Sequence, residues 1–266
     1  MIIHSYLTKG MMPWAETYLR SLNYYHPNIK TILSTRNLNE EDIRQLKQFH
    51  ENLEIRNKKF DFELLSLKTG ISLDNLKRFE KEILDKKITE ENKILKQAIS
   101  VEDRYRLSIM EIIEENINKN ETLLHTDIDI FFKKPIHELI EFINMNDISI
   151  GFRLYNEKES RKVVGGVIGF KINPNLLIFM YRWFHHIDRI SLIDKPIGYG
   201  QTSFYYAYKD LIDQYKWGDI PEKFISPRFD DDVVISVGKA RYAVDFTLKY
   251  YKQRLRDMSK LFGGFI

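Results

Sequence analysis

The sequence predicts an α/β fold, a mainly parallel sheet flanked by helices, on three observations. Strand-like and helix-like stretches alternate from the N-terminus, the pattern of parallel strands joined by crossover helices. A largely apolar run at residues 123–132 has the composition of a buried strand. Another, Val163-Val164-Gly165-Gly166-Val167-Ile168-Gly169-Phe170, repeats that composition after a polar loop.

In chain order, Ile2-Ile3-His4-Ser5-Tyr6-Leu7 reads as the first strand and Thr8-Lys9-Gly10 as its turn. Trp14, Tyr18, Leu19 and Leu22 fall at helical spacing, predicting a helix over about 13–25 that Pro27 ends. Thr31-Ile32-Leu33-Ser34-Thr35 is a second strand, and Asn39 is suited to cap a helix running to about His50. Parallel sheets bind ligands at the carboxyl ends of their strands, which directs attention to Thr8-Lys9-Gly10 and Thr35-Arg36.

Residues 61–118 change character. Charged residues interleave with Leu73, Leu76, Phe79, Ile83 and Leu84, predicting helices without a strand and a helical insertion over about 61–100. A last helix over about 101–118 carries Asp103, Arg104 and Arg106 ahead of Leu107, Met110, Ile113 and Ile117. Arg106 has the fork geometry that suits a diphosphate or a carboxylate. Its ordinary alternative is a pair with Asp103, which would contribute about 0.3 kcal/mol if exposed.

The chemistry concentrates in Leu123-Leu124-His125-Thr126-Asp127-Ile128-Asp129-Ile130-Phe131-Phe132, read as one strand that Lys133-Lys134-Pro135 stops. In extended chain, residues two apart project to the same side, so Asp127 and Asp129 are expected to converge on one point. Adjacent carboxylates repel and lose hydration unless a cation sits between them. A hard divalent ion with oxygen ligands, Mn2+ or Mg2+, relieves both costs and leaves positions open for phosphate. The plain alternative is a pair of solvated loop aspartates. The apolar strand before them and the amphipathic helix expected after Pro135 weigh against it.

Further on, Ile148-Ser149-Ile150-Gly151-Phe152 reads as a strand. The paired Gly165 and Gly166 point to close backbone approach or a tight bend. Neither a Gly-x-Gly-x-x-Gly fingerprint nor a Lys-Ser/Thr phosphate loop is present. Asn173-Pro174 opens an aromatic-rich helix on which the adjacent His185 and His186 cannot face one ion together. Gly198-Tyr199-Gly200-Gln201 reads as a turn into a helix over 202–208, with Gln201 suited to point at a ligand. Asp230-Asp231-Asp232 precede a strand over 233–237 and then Gly238-Lys239, a loop suited to close over the site.

Composition bounds the rest. The 266 residues suffice for a single large domain, and 43% hydrophobic with 30% charged residues is ordinary for a globular chain. Without cysteine there is no disulfide, thiolate metal site or cysteine nucleophile. No apolar run is long enough to span a bilayer and no signal-peptide pattern is present, so a cytoplasmic protein is expected. A net charge of +3 gives no reason to expect nucleic-acid binding. Basic residues gather between Lys239 and Lys260, predicting a basic helix over about 240–260 that is either a solvated face or a peripheral membrane contact.

In their order and spacing these pieces resemble the GT-A glycosyltransferases, and within them the family of glycogenin and the bacterial lipopolysaccharide galactosyl- and glucosyltransferases. The likeness rests on the opening strand–helix–strand with Ser21-Leu22 before His26-Pro27, on Arg104-Tyr105-Arg106-Leu107, on Leu124-His125-Thr126-Asp127-Ile128-Asp129-Ile130 with Pro135 and Leu139, and on Gly165-Gly166-Val167-Ile168-Gly169-Phe170. It implies one GT-A-like domain over 1–266 that moves a sugar, with retention, from a nucleotide-diphosphate sugar (a UDP-sugar in the first instance) to a glycan or glycolipid hydroxyl. By the same resemblance, Asp127 and Asp129 bind the metal and Arg106 holds the diphosphate; Thr8, at a strand's carboxyl end, and Lys239, in the closing loop, are expected to add to the donor contacts. Asp103 lies near the donor sugar, Gly165 and Gly166 floor its pocket, and Gln201 sits beside the anomeric carbon. Three departures stand out: Val164 replaces the family's Asn before the glycine strand, Gly200 replaces the Asp before Gln201, and the C-terminal His that is a third metal ligand is missing. Asp231 or Asp232 are its candidate substitutes. Two other classes use similar parts, a sugar-phosphate nucleotidyltransferase and a non-catalytic binding module. The first opens with a glycine-rich phosphate loop, for which Thr8-Lys9-Gly10 is thin.

Overall fold

The structure is a computed structural model that describes residues 1–69, 72–84, 101–154, 156–190, 199–226 and 234–237. Lys239, Asp231, Asp232, Gly198, residues 85–100 of the helical block and the basic segment 240–260 lie outside the described residues.

Strands β1 (Ile2–Thr8), β2 (Lys30–Arg36), β3 (Leu53–Lys58), β4 (Thr122–Thr126), β6 (Ile148–Phe152), β7 (Val163–Lys171) and β8 (Trp217–Asp219) form a seven-stranded sheet of order β3-β2-β1-β4-β7-β6-β8. All pairs are parallel except those of β7, which runs against both β4 and β6. A smaller sheet joins β5 (Ile130–Phe132), β10 (Ile235–Val237) and β9 (Ile225–Ser226). The expected mixed, mainly parallel α/β fold is the observed one.

Alternation of side chains divides the core into two layers. Ile2, Ile32, Leu123, Ile150 and Ile168 pack on one face with helices α5 (Met110–Asn116), α7 (Pro174–Arg189) and α8 (Tyr199–Asp210). Their sequence neighbours Ile3, Leu33, Leu124 and Val167 pack on the other with α1 (Met12–Tyr25), α2 (Glu40–Lys47) and α6 (His137–Asn144). Apolar residues in consecutive pairs thus feed both layers, as a sheet covered on both faces requires. Asn39 caps α2 in a full capping box with Asp42, and Asn173 caps α7 with Pro174 in its first turn. The described part of the helical block contains α3 (Phe62–Thr69) and α4 (Leu73–Leu84).

Three expectations change. Residues 123–132 are two strands, not one: β4 ends at Thr126, Ile128 and Asp129 form a turn, and β5 turns away to the smaller sheet. Ile128 is 4% exposed, so its burial anchors the turn and the two aspartates flank it. The expected helix over 101–118 opens as a π-helical segment, Glu102–Ile109, in which Met110 N–H bonds the carbonyl of Tyr105, five residues back. And α8 begins at Tyr199, so Gln201 lies within its first turn and not before it.

Candidate functional site

The antiparallel β7 makes one edge of the large sheet a meeting place. The carboxyl ends of β1, β2, β4 and β6 and the start of β7 all lie there. Thr8, Arg36, Asp127, Phe152 and Gly165 are consequently neighbours along one rim, the ligand-binding rim of open α/β sheets.

Asp127 continues the β4–β7 ladder by one bond, its N–H donating to Gly166 O at 2.9 Å. One of the paired glycines is thereby tied to the first carboxylate. The other touches Gln201: a Cβ on Gly165 would lie 3.1 Å from Gln201 Cγ and 3.2 Å from its Nε2. Only a residue without a side chain lets the α8 amide come this near to β7. Gly200 serves the same approach one residue earlier, facing Val101 and Tyr105, and its carbonyl accepts from Trp183 Nε1 at 3.1 Å. The structure therefore brings Asp127, Gly165, Gly166 and Gln201 together.

The arginine at the site is Arg104. It donates to Asp127 Oδ1 at 2.5 Å and lies between the rings of Tyr6 and Tyr105, 5.6 and 5.7 Å from their centroids. Burial works against its charge, but Asp127 and the two tyrosines more than restore it, so it stays a cation at any working pH. Arg106 points elsewhere, bonding Glu102 at 2.7 Å and Asp188 at 2.6 Å, with its guanidinium 4.9 Å above the Phe184 ring. A π turn holds one more residue than an α turn, which changes the side that each following side chain faces; such segments recur at functional sites. Thr8 ends β1 half-buried, at the start of the short 3-10 turn Lys9–Met11.

Asp103 is enclosed. At 1% side-chain exposure it accepts from Arg36 Nε at 2.9 Å and Arg36 Nη2 at 2.5 Å, and from the Tyr6 hydroxyl. Burial raises its carboxyl above the usual range while Arg36 and Tyr6 pull it back. The Tyr6 hydroxyl is itself raised well above the ordinary tyrosine value, by burial and then by the neighbouring carboxylate. Arg36, Asp103 and Tyr6 thus clamp the π segment to the ends of β1 and β2, setting Arg104 over Asp127.

Beneath the rim, His4 and His125 meet across β1 and β4, Nδ1 to Nδ1 at 3.0 Å, and His4 Nε2 lies 3.0 Å from Ser34 Oγ. Burial, with the charge of Arg104 overhead, lowers His4 to about 3 and holds His125 well below the usual imidazole value. Both rings are therefore neutral, and one Nδ1 donates to the other.

A divalent cation suits this rim. Asp127 has 30% of its side chain exposed and Asp129 is partly exposed. Among the described residues no group of three His, Asp or Glu converges, and the carboxylates at this turn are Asp127 and Asp129. Magnesium-like ions are commonly held by one or two carboxylates together with substrate phosphates, which matches that set.

Sequence reasoning missed Arg104 as the partner of Asp127, the Arg36–Asp103–Tyr6 clamp and the histidine pair. A partial signal existed in Thr35-Arg36, placed at a strand end. No local signal marks the π segment.

No family model matches the chain, and no curated protein does. Its fold is that of the GT-A glycosyltransferases. The bifunctional glycosyltransferase WbbM superposes with a TM-score of 0.50 at 9% identity, over 95% of this chain and 44% of that one. Mouse xyloside xylosyltransferase 1 gives 0.49 at 10% identity over 91% and 99% of the two chains. The galactosyltransferase LgtC, in a structure with donor and acceptor sugar analogues, gives 0.47 at 12% identity over 95% and 94%.

Proposed function

We propose that the chain is a metal-dependent glycosyltransferase that moves a hexose from a nucleoside-diphosphate sugar, a UDP-sugar in the first instance, to a hydroxyl acceptor with retention of configuration. The observation that carries the reading is the Asp127–Ile128–Asp129 turn at the carboxyl rim, with Gly165, Gly166 and Gln201 against it. The fold shared with glycosyltransferases supports it.

Asp127 and Asp129 would hold Mn2+ or Mg2+, which when bound neutralises charge building on the departing diphosphate. Arg104 adds a fixed cation beside that charge and keeps Asp127 oriented. In this reading the Gly165–Gly166 strand would give the sugar a flat floor, and the Gln201 amide, which packs on Gly165, would hydrogen-bond near the reacting carbon. In the transfer, the bond from the anomeric carbon to the phosphate oxygen breaks and one to the acceptor oxygen forms. The acceptor proton passes to the leaving phosphate, so no protein base is required. Thr8 and Lys239 complete the donor contacts in this reading. Asp103 and Arg106 are reassigned to support, since one is enclosed by Arg36 and the other paired with Glu102 and Asp188.

The acceptor is a glycan or glycolipid, and no nucleic-acid partner is invoked. The reading takes 1–266 as one catalytic domain, cytoplasmic, with segment 240–260 touching the inner face of a membrane. Among the described residues no helix is long and apolar enough to cross one.

The decisive experiment mixes the protein with Mn2+ and a panel of nucleotide sugars and measures release of nucleoside diphosphate and the metal-dependent rise in melting temperature. Asp129→Ala is expected to abolish both. Release of pyrophosphate from a sugar phosphate and a nucleoside triphosphate would mark a nucleotidyltransferase instead. A binding module would show no turnover in any arm.

A further inference from the structure

From the Gly165–Gln201 contact two stretches of chain diverge and meet again. Three residues back, just before β7, stands Lys162; one helical turn, about 5.4 Å, along α8 stands Tyr205. Lys162 Nζ lies 5.3 Å above the Tyr205 ring, and Lys209 Nζ reaches the same ring at 5.8 Å. Tyr208, the next residue on the Gln201 face of α8, stacks on Tyr205 with ring centroids 6.1 Å apart and meets Phe152 at 4.7 Å. Phe152 is the last residue of β6, on the same rim as Asp127.

Phe204 and Ala207 lie on the buried face of α8, whereas Tyr205 and Phe152 pack only partly against that core and Tyr208 meets Trp217 edge-on at 4.8 Å. Tyr205 and Tyr208 are half-exposed, as are Phe152 and Lys162, while Lys209 is exposed. Of the nearby acids, Glu159 is engaged by the Tyr206 hydroxyl and Asp219 accepts from the Phe152 N–H at 2.9 Å. An aromatic face suits the apolar C–H face of a pyranose, and the flanking ammonium groups suit an anion.

We propose that Tyr205, Tyr208 and Phe152, flanked by Lys162 and Lys209, form an acceptor platform for an oligosaccharide carrying a carboxylate or a phosphate. The inference rests on the glycosyl-transfer reading, because it is Gln201 that links the platform to the reacting carbon. Its spacing places one sugar ring per helical turn outward from Gln201.

The test is an array printed with maltotriose, trigalacturonate and maltotriose 6-phosphate, probed with the 266-residue protein, with Tyr205→Ala and with Lys162→Met/Lys209→Met. The wild type is expected to retain at least one anionic trisaccharide several-fold better than maltotriose, and the double lysine variant to lose that preference while melting like the wild type. Tyr205→Ala is expected to weaken all retention. The platform is wrong if no anionic glycan is retained, or if retention ignores the lysines. It is also wrong if the lysines govern binding to phosphatidylglycerol vesicles but not to glycans, which would make the patch a membrane contact. The Mn2+- and nucleotide-dependent melting shift, measured on the same wild-type protein, separates the two readings. A missing shift with anionic glycan bound overturns the donor site alone, and the reverse overturns the platform alone.

Discussion

Arg104 donates to Asp127 Oδ1 at 2.5 Å, so the first carboxylate of the Asp-x-Asp turn is held by a cation of the chain itself. Both side chains are mostly buried, at 22% and 30% exposure. Asp127→Asn leaves the Arg104 charge without its counter-ion and is expected to cost about 2 kcal/mol, below the range for fully buried pairs. Arg104→Gln is expected to weaken metal-dependent nucleotide binding about tenfold, equivalent to about 1.4 kcal/mol. Urea unfolding and calorimetric titration measure the two effects; wild-type values in both would remove the pair from the site.

Gly165 and Gln201 make a second pair. An alanine Cβ at 165 presses on Gln201 Cγ and Nε2, so the Gln201 side chain has to shift by a few tenths of an ångström. A flexible side chain yields cheaply, so Gly165→Ala is expected to melt within a few degrees of the wild type. Turnover should still fall, on the order of tenfold, because the amide is misplaced. In a Gln201→Ala background the glycine substitution should add little further loss. Additive losses would show that Gly165 acts on the sugar directly.

Arg36 and Asp103 are 4% and 1% exposed, the most enclosed of the ion pairs described. Arg36→Ala strands the carboxylate and is expected to lower stability by about 3–5 kcal/mol. Replacing both partners, Arg36→Met with Asp103→Leu, should cost less than either single change because no buried charge is left over. Denaturant titration of the three variants decides this, and a double variant less stable than both singles would contradict it.

Acid sensitivity follows from the buried histidines. His4 is lowered to about 3, and His26 and His50 to about 4, each first by burial. Their native states refuse a proton that the unfolded chain accepts below about pH 6.5. Stability from these groups is therefore complete above the unfolded value and declines as pH falls towards the folded one. Each costs about 1.4 kcal/mol per pH unit across that window. Melting temperature should be level from pH 8 to 7 and drop steeply between pH 6 and 4.5. His50→Gln, which can still bond Thr31 Oγ1, should flatten the drop, whereas an unchanged slope would mean that other groups dominate.

Much of the fold was legible because its signals are local. Strands β1, β2, β6 and β7 and helices α1, α2 and α7 announce themselves through apolar runs, helical spacing, Asn caps and Pro27. Strands β3 and β8 were not foreseen. Leu-Glu-Ile-Arg-Asn-Lys has no buried run, since β3 is an edge strand, and Trp-Gly-Asp is too short to register as a pattern. The break at residues 127–129 was invisible for a related reason: Ile128 is as apolar in a turn as in a strand.

The chemistry of the rim was determined by sequence alone: two aspartates after an apolar strand, paired glycines opening another, and a glutamine near a helix start. Which groups meet there was decided by tertiary structure. Asp127 takes Arg104 and not Arg106 because residues two apart on a helix face nearly opposite sides and the packing of this segment turns Arg104 to the rim, and Asp103 is withdrawn because β2 delivers Arg36 to it. Gln201 reaches Gly165 only where α8 descends on β7. Local propensity sets what each segment becomes, but contact between distant segments depends on register, helix phase and the space a missing side chain leaves, none of which a short stretch of sequence encodes.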